Sequence, residues 1–488
     1  MSISPVLFGM SVDEIMEDVY FQSDFVELHS CPNGIDQLEY DGFHHAAAVR
    51  EIPGTKLEDL ETPWGYGGPV GRDFAALSRG VGLWRERQAE QRRVAEFIRL
   101  HPFLNPVLYY ELLSELRFDR PTIVIDLARP AGEKWRTYSK STRYSIKQAQ
   151  KRLSIRPISA REAGLFRELY EAGLARNDAG MQYYHSPRYF EALLAAPWTR
   201  AWVAELEGKP LAAACFLHRG KLVHYHLSGG TQAARENFAH YALLNLAIEK
   251  FASEGKRWMH LGGGRTARSD DELYRFKAKF SSKHIPFYVG SIIHDENVYR
   301  RLGGHRNNQL LGYRFPPSEI AVGSTIAIRQ ACREDAAAFF RLRCDVENII
   351  WSGHAAPPDW SNLASWFEAQ IESSSRRIYV AEQGDEVVGY AYLDGIGDLR
   401  EVSIGVASNY ASRGIGRRFL DKLVTHVVKS EGAKFIEAWI VPENVASIKA
   451  FEAAGFVFAE HRGSRAVSLA VRANSRSQLC WSFHRNES

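Results

Sequence analysis

Apolar positions in the last third of the chain change period several times, and each change predicts an element. "TIAIR" (Thr325 to Arg329) alternates and predicts a strand. "REDAAAFFRLRCDV" spaces its apolar residues three and four apart, with acids in its first turn, and predicts a helix. "WSNLASWFEAQIESS" predicts a second helix. "RIYVAEQGDEVVGYAYLD" predicts two strands joined through Gly384 and Asp385. Next come a strand at "EVSIGVA", a long helix at "GIGRRFLDKLVTHVVKSEG" and a strand at "KFIEAWIV". A helix from about Asn444 to Ala454 and strands at "FVFAEHR" and "LCWSFHR" close the series.

The same order is legible upstream. A helix is predicted from about Ala160 to Asn177, and "RAWVAELEGKPLAAACFLHRGKLVHYHLSGG" predicts three strands in a meander. "AHYALLNLAIEKFASEG" predicts a helix, and "WMHLGGG" a strand running into a glycine turn. Strand, meander, helix, strand thus occurs twice, which predicts a mixed α/β chain with more than one copy of one fold type. The two copies join within "RFPPSEIAVGSTIAIR" (Arg314 to Arg329), where two prolines and two glycines precede a fresh strand.

One polar face stands apart. "RTYSKSTRYSIKQAQK" (Arg136 to Lys151) predicts a single amphipathic helix. Arg136, Lys140, Arg143, Lys147 and Lys151 share a stripe roughly 80° wide, and the stretch holds no acid. Trp135, Tyr138, Ile146, Ala149 and Leu153 fall on another face. An all-cation stripe suits the phosphates of a carrier, either the tRNA acceptor end or coenzyme A. A solvated helix face is the alternative.

Composition narrows the partners. A length of 488 residues with 45% hydrophobic and 24% charged residues suits several globular cores, and a net charge of +3 is too small for a general nucleic-acid coat. Anion sites are therefore local, and a DNA partner is not expected. Cys31, Cys215, Cys332, Cys344 and Cys480 are scattered without a CxxC, so neither a disulfide framework nor a metal site is expected. A reducing compartment fits, no signal peptide or membrane span is read, and a cytoplasmic location is expected. His224 and His226 share one side of a strand, which permits metal binding, but no third ligand is evident; the pair His44-His45 and His101 stand similarly. All five are read as structural, and Trp198, Trp202 and Trp258 as core.

In the C-terminal third, "VASNYASRGIGRRFLDKL" joins a strand to a helix through Arg413-Gly414-Ile415-Gly416. Glycines there let backbone N–H groups face an anion, and the helix dipole adds to them. About thirty residues later comes "PENVASIKAFEAAGF". This compound pattern resembles the GNAT acyl-coenzyme A N-acyltransferase family over residues 325 to 488. The hairpin and "GAKFIEAWIVPENVAS" are also similar to phosphinothricin-type acetyltransferases. The resemblance implies acetyl-coenzyme A as cofactor, with Val406 offering backbone to the pantetheine. It further implies that the amides of Arg413, Gly414, Ile415, Gly416 and Arg417 hold the pyrophosphate, and that Asn444 lies beside the pantetheine. Two positions depart from the pattern. Ala411 replaces the usual Gln or Arg, and Phe451 the tyrosine that protonates the leaving thiolate. A thiol of pKa about 8.5 leaves tolerably without an acid. Glu401 is the candidate base for the incoming ammonium, or else a solvated strand carboxylate.

Three stretches mark the region before the join. "PWGYGGPVG" (Pro63 to Gly71) reads as a loop pressed against a ligand or another backbone. "EFIRLHPFLNP" (Glu96 to Pro106) reads as a buried helix ending at a proline. "LGGGRTARSDDELYRFKAKFSSKHIPFYVG" (Leu261 to Gly290) sets Lys277 and Lys279 among Phe276, Phe280 and Phe287. With the basic stretch and "HYHLSGG", these resemble the FemAB aminoacyl transferases over roughly Phe21 to Tyr313. The resemblance implies an oxyanion-steadying Lys277 with Phe276 beside it, and aminoacyl-tRNA or acyl-coenzyme A as donor. It implies two acyltransferase-like lobes, residues 1–150 with 291–316 returning to it and residues 151–290, then a linker at 317–324 and a GNAT domain at 325–488. The long helical arm of peptidoglycan-bridge members is missing, so a small-molecule amine is the expected acceptor.

Three functions fit these readings. The first is a bifunctional enzyme forming amide bonds on a small-molecule amine, which suits a natural-product pathway. The second is a single-activity acyltransferase whose other module binds or regulates. The third is a non-enzymatic sensor of coenzyme A or tRNA.

Overall fold

The structure is a computed structural model describing residues 4–29, 33–177, 179–180, 183–268, 270–306, 309–315, 326–384, 386–395, 398–410, 414–430, 433–468 and 475–484. The expected linker at 317–324, the Asp385 turn position, Ala411, Arg413 and Cys31 lie outside the described residues. The chain divides into two compact units, Phe8–Trp84 with Arg120–Phe287, and Met1–Leu7 with Arg85–Asp119 and Tyr288–Ser488.

In the first of these, β1 (Ile35–Tyr40), β2 (Phe43–Glu51) and β3 (Glu58–Glu61) form an antiparallel meander. β4 (Glu115–Asp126), which lies in this unit from Arg120 on, leads into α1 (Ala131–Thr137) and α2 (Lys140–Arg152). Then follow β5 (Ser154–Pro157), α3 (Ala163–Arg176), α4 (Pro187–Ala195), β6 (Thr199–Leu206), β7 (Lys209–Arg219) and β8 (Leu222–Gly230). α5 (Ala239–Ser253) crosses to β9 (Trp258–Gly262), and α6 (Glu272–Ala278) comes after the glycine turn. Spatial order is β4-β9-β8-β7-β6-β5, with β8 and β9 parallel and the other pairs antiparallel. Apolar residues on both faces of this sheet make two cores. Ile146 and Ala149 of α2 and Leu244, Ile248 and Phe251 of α5 cover one face, and Phe166 of α3 and Phe190 and Leu193 of α4 the other. Trp198, Trp202 and Trp258 are buried, as their surroundings in the sequence suggest.

The second unit holds the C-terminal elements. These are β10 (Ile326–Gln330), α7 (Ala336–Arg343), α8 (Val346–Trp351), α9 (Trp360–Ile371), β11 (Arg376–Gln383), β12 (Glu386–Asp394) and β13 (Leu399–Val406). After them come α10 (Ile415–Ser430), β14 (Phe435–Ile440), α11 (Val445–Ala453), β15 (Val457–Phe458), β16 (Ser464–Ser468) and β17 (Ser475–His484). Spatial order is β10-β11-β12-β13-β14-β17-β15, with β16 on β17 and only β13 and β14 parallel. Phe419, Leu420 and Leu423 of α10 pack one face, and Phe339 of α7 and Phe367 of α9 the other. β10 to β14 and β17 therefore repeat β5 to β9 and β4: four antiparallel strands, a parallel fifth after a helical crossover, and an antiparallel sixth.

Three sequence expectations change. The basic stretch is two helices, because Ser139 is extended and its hydroxyl caps α2 at Thr142 N, 3.1 Å away. Arg136 thus belongs to α1, and the other four cations to α2. "EFIRLHPFLNP" is a strand, Ala95–Arg99, paired with Val289–Ile293, followed by turns. Its apolar run is too short for period to separate helix from strand. "FVFAEHR" is a strand only at β15, and β16 carries more of the pairing with β17.

Candidate functional site

Each parallel pair opens into a fork. β8 pairs with β9 only from Leu222↔Trp258 to His224↔His260, although β8 runs on to Gly230. β13 pairs with β14 only from Leu399↔Phe435 to Glu401↔Glu437, although β13 runs on to Val406. His224 and Glu401 are thus the last paired residues before the two openings. Beyond each, the two parallel strands no longer pair, which leaves that strand edge open to an extended ligand.

At the first fork the glycine turn after β9 is clamped from both sides. Arg120 Nη1 donates to the carbonyls of Gly264 and Arg265, each at 2.9 Å. Asp271 accepts from the N–H groups of Arg265, Thr266 and Tyr274 and so starts α6. α6 then carries Lys277 inward to 7% exposure, with Nζ donating to Gly263 O at 2.7 Å. Burial pulls the ammonium down to about 7; Asp271 opposes the shift and Arg120 adds to it. Gly262 has φ +72°, and a Cβ there would lie 3.3 Å from Lys277 Nζ and 3.6 Å from the Tyr66 hydroxyl oxygen. The two polar groups therefore converge on one small space that only glycine leaves open. Phe276 packs edge-on to Tyr241 and Phe280, beside Lys277 in sequence but on the aromatic core.

Tyr66 comes from the "WGYGGP" loop. Gly65 has φ +107°, and a Cβ there would meet the Tyr20 ring at 2.3 Å, so the loop backbone lies flat on Tyr20. The Tyr66 ring stands edge-on to His260, Phe287 and Tyr20. Beneath it Asp18 Oδ2 meets His224 Nε2 at 2.8 Å, both buried. Thr122 Oγ1 donates to Ile285 O and so accepts from His260 Nε2–H at 2.8 Å. Sequence reasoning missed Tyr66 and Asp18. The glycines around Tyr66 signalled a close approach, whereas Asp18 lies 206 residues from its partner and carried no local signal.

The cations of the basic stretch divide by role. Arg143 Nη1 donates to Tyr138 O at 2.6 Å and Arg136 O at 3.3 Å, closing the corner between α1 and α2. Arg136, Lys140, Lys147 and Lys151 are exposed and make no ion pair among the described residues.

At the second fork Gly414 has φ +70°, with nothing among the described residues within 4 Å of where a Cβ would stand. A Cβ on Gly416 would find only ordinary contacts, the nearest being Ala450 Cβ at 3.8 Å, so no described side chain plugs the turn. Ile415 is buried, and Arg417 is exposed with Asp421 at 3.7 Å. Asn444 caps α11, its Oδ1 accepting from Ser447 N at 3.1 Å. Val406 O accepts from Asn348 Nδ2 at 3.4 Å. Glu401 pairs with both Arg465 guanidinium ends, at 3.0 and 3.3 Å, rather than standing free in solvent. Phe451 is buried edge-on to Phe456, so its position offers no hydroxyl.

Residues 343–456 match the family described as "Acetyltransferase (GNAT) family", and residues 140–277 match "Acetyltransferase (GNAT) domain". A stretch of 124 residues is 32% identical to the UDP-N-acetylmuramoylpentapeptide-lysine N(6)-alanyltransferase of Weissella viridescens, covering 24% of this chain and 37% of the relative. Another of 114 residues is 29% identical to the L-amino acid N-acyltransferase MnaT of Escherichia coli, covering 22% of this chain and 64% of the relative. The chain thus spans less than two thirds of either relative. Among solved structures, FemX aligns with TM-score 0.48 and 11% identity over 59% of this chain and 96% of FemX. AAC(6')-Ib in complex with ribostamycin and coenzyme A aligns with TM-score 0.29 and 18% identity over 34% of this chain and 98% of that one. No helix among the described residues is long and apolar enough to cross a membrane. Two separate segments of the chain, residues 140–277 and residues 343–456, are therefore each similar to GNAT acetyltransferases.

Proposed function

We propose that the chain forms amide bonds on small-molecule amines at two centres, one at each fork. The observation that carries this reading is the recurrence of the fork, once above buried Lys277 and once before the open Gly414–Gly416 turn. At the C-terminal fork, acetyl-coenzyme A would lie with its pantetheine along Val406 and beside Asn444. Its pyrophosphate would meet the amides of Arg413 to Arg417. Glu401, held at the mouth by Arg465, is the group placed to take a proton from the acceptor ammonium. At the first fork the donor is an aminoacyl-tRNA. Lys277 steadies the oxyanion as a neutral amine attacks the ester, and the unpaired cations of α1 and α2 hold the acceptor-end phosphates. Acyl-coenzyme A is the other donor this fork would admit. The protein works in the cytoplasm, where both carriers are present.

The test offers the full chain an amine mixture with acetyl-coenzyme A or with aminoacyl-tRNA, and reads products by mass spectrometry. Lys277→Met should lower the ribonuclease-sensitive product about 100-fold and spare the acetylated one. Gly414→Val should do the reverse, since a β-branched residue does not tolerate that φ. The buried Phe451 favours a second reading, in which the C-terminal domain binds coenzyme A without turnover. Both variants striking one activity would establish that reading, and no product from either donor would end both.

A further inference from the structure

The end of the β8–β9 pair opposite the first fork holds a cavity of about 880 Å³. Lys221 and Arg257, which directly precede the two strands, line it, as does Leu127 after β4. Side chains of α1 and α5 form its walls. None of the residues placed at either fork lines it.

The wall is apolar with a few polar atoms set into it. Ala131 and Trp135 come from α1, and Ile248 and Ala252 from α5. The half-buried Trp135 ring stands edge-on to Tyr138, with ring centres 5.7 Å apart. Asn245 is 2% exposed. Its Nδ2 donates to Glu249 Oε1 at 2.8 Å, and no described residue donates to its Oδ1. Tyr138 is 3% exposed, and its hydroxyl has no partner among the described residues. Burial, with Glu249 adding to it, holds that phenol well above its usual range, so it remains a donor. Buried Lys134 Nζ donates to Leu127 O at 2.8 Å and Arg129 O at 2.6 Å, which leaves one of its three N–H groups over. An alkyl chain would leave all of these unmatched, whereas a flat ring with donors and acceptors on its edge would match them.

The turn side of the cavity is basic. Lys256 Nζ donates to Gly220 O at 2.8 Å, Arg257 Nη1 to Gly9 O at 3.2 Å, and Lys221 is exposed. None of the three makes an ion pair among the described residues. The lining carboxylates, Glu14 and Glu249, are each bonded to a donor of their own, Ser11 N and Asn245 Nδ2. Cations left over at one side and a polar-edged aromatic wall at the other call for an anion joined to a heteroaromatic ring.

We propose that this cavity binds a 5′-phosphorylated nucleoside. The base lies against Trp135 with its edge toward Tyr138 and Asn245, and the phosphate meets Lys221, Lys256 and Arg257. The site is separate from the acyl-transfer centres proposed at the forks and does not depend on that reading.

The experiment is calorimetry of the full chain carrying Gly414→Val, which takes the proposed coenzyme A site out of play. The probes are AMP, GMP, CMP and UMP, the four nucleosides and ribose 5-phosphate. At least one mononucleotide should bind once per chain, about tenfold tighter than its nucleoside and than ribose 5-phosphate. Ala128 is an exposed lining residue, and Ala128→Trp, which fills the cavity, should abolish that binding. Lys221→Gln should weaken the mononucleotide about threefold and leave the nucleoside unchanged. No binding of any mononucleotide would overturn the proposal. Ribose 5-phosphate binding as tightly as the mononucleotides would also overturn it, since that marks a basic patch without a base site. So would binding that Ala128→Trp and Lys221→Gln both leave intact. Should Ala128→Trp fail to fold, Lys221→Gln decides alone, and equal effects on nucleotide and nucleoside overturn the site. A single-stranded RNA tetramer separates the two sources of this chemistry. Tighter binding than the best mononucleotide assigns the cavity to a base of an RNA, and weaker binding to a free nucleotide.

Discussion

Lys277 is held against its own charge. Its ordinary value of 10.5 falls to about 7 in the folded chain, because burial strips water from the ammonium and Arg120 adds to the fall against the opposing pull of Asp271. The sign of the consequence follows directly. Below about 7 the folded and unfolded chains both carry the proton, and the cost of burial stands in full. Between about 7 and 10.5 the unfolded chain binds the extra proton, so this residue's contribution to stability rises with pH and then levels off. The ceiling is about 5 kcal/mol, at roughly 1.4 kcal/mol per pH unit. Urea unfolding of the wild type and Lys277→Met should therefore show the difference moving toward the wild type by a few kcal/mol between pH 7 and 10. A difference that stays flat across that range would show that the amine is solvated. The rate should fall as pH rises through about 7, since only the cation steadies an oxyanion, and the same measurement on Lys277→Arg should move that fall upward.

At the scale of elements, the α1–α2 corner separates one cation that holds the protein from four that make no ion pair among the described residues. Arg143 bonds two carbonyls at the corner, whereas Arg136, Lys140, Lys147 and Lys151 project into solvent. Replacing Lys140, Lys147 and Lys151 together by Gln should leave the melting temperature within about a degree or two. It should lower the slope of log affinity for tRNA against log salt by about two, at roughly 0.7 to 0.9 for each phosphate no longer neutralised. An unchanged slope in filter binding would return the helix to a solvated face. Spacing made the apolar side of α2 legible, because Ile146 and Ala149 are fully buried and burial is what enforces period. The break at Ser139 was hidden because the cation spacing ran unbroken across it, and a hydroxyl cap outweighed the period. The strand at Ala95–Arg99 was misread for a different reason. Five apolar-leaning residues are shared by both templates until a partner strand, here Val289–Ile293, decides between them. Aromatic neighbours did not separate Lys277 from Lys279 in the sequence, and the resemblance alone singled Lys277 out. Tyr66 and Asp18 were not assigned, since their partners are brought to them only by the completed sheet.

Across the whole molecule, one strand order is used twice with different turns at the fork, and that difference sets what each copy can hold. In the C-terminal copy Gly414 directly precedes the 16-residue α10, with nothing among the described residues within 4 Å of where its Cβ would stand. β8 ends instead at Gly230, where a Cβ would strike Leu211 O at 2.8 Å, and a short helix, Gln232–Glu236, follows. Phe238, in the left-handed region at φ 56°, then starts α5. The chain there is filled by its own backbone and a bulky cap, and the glycine turn that would cradle a pyrophosphate is missing between β8 and α5. Calorimetry of the full chain with coenzyme A should therefore give one molecule bound per chain. Gly414→Val should abolish that binding, while Lys277→Met leaves it unchanged. Two molecules per chain, one of them surviving Gly414→Val, would mean that the first fork takes coenzyme A despite its turn. The cations on α1 and α2 would then serve the nucleotide phosphate of that cofactor, and ribonuclease would spare both activities.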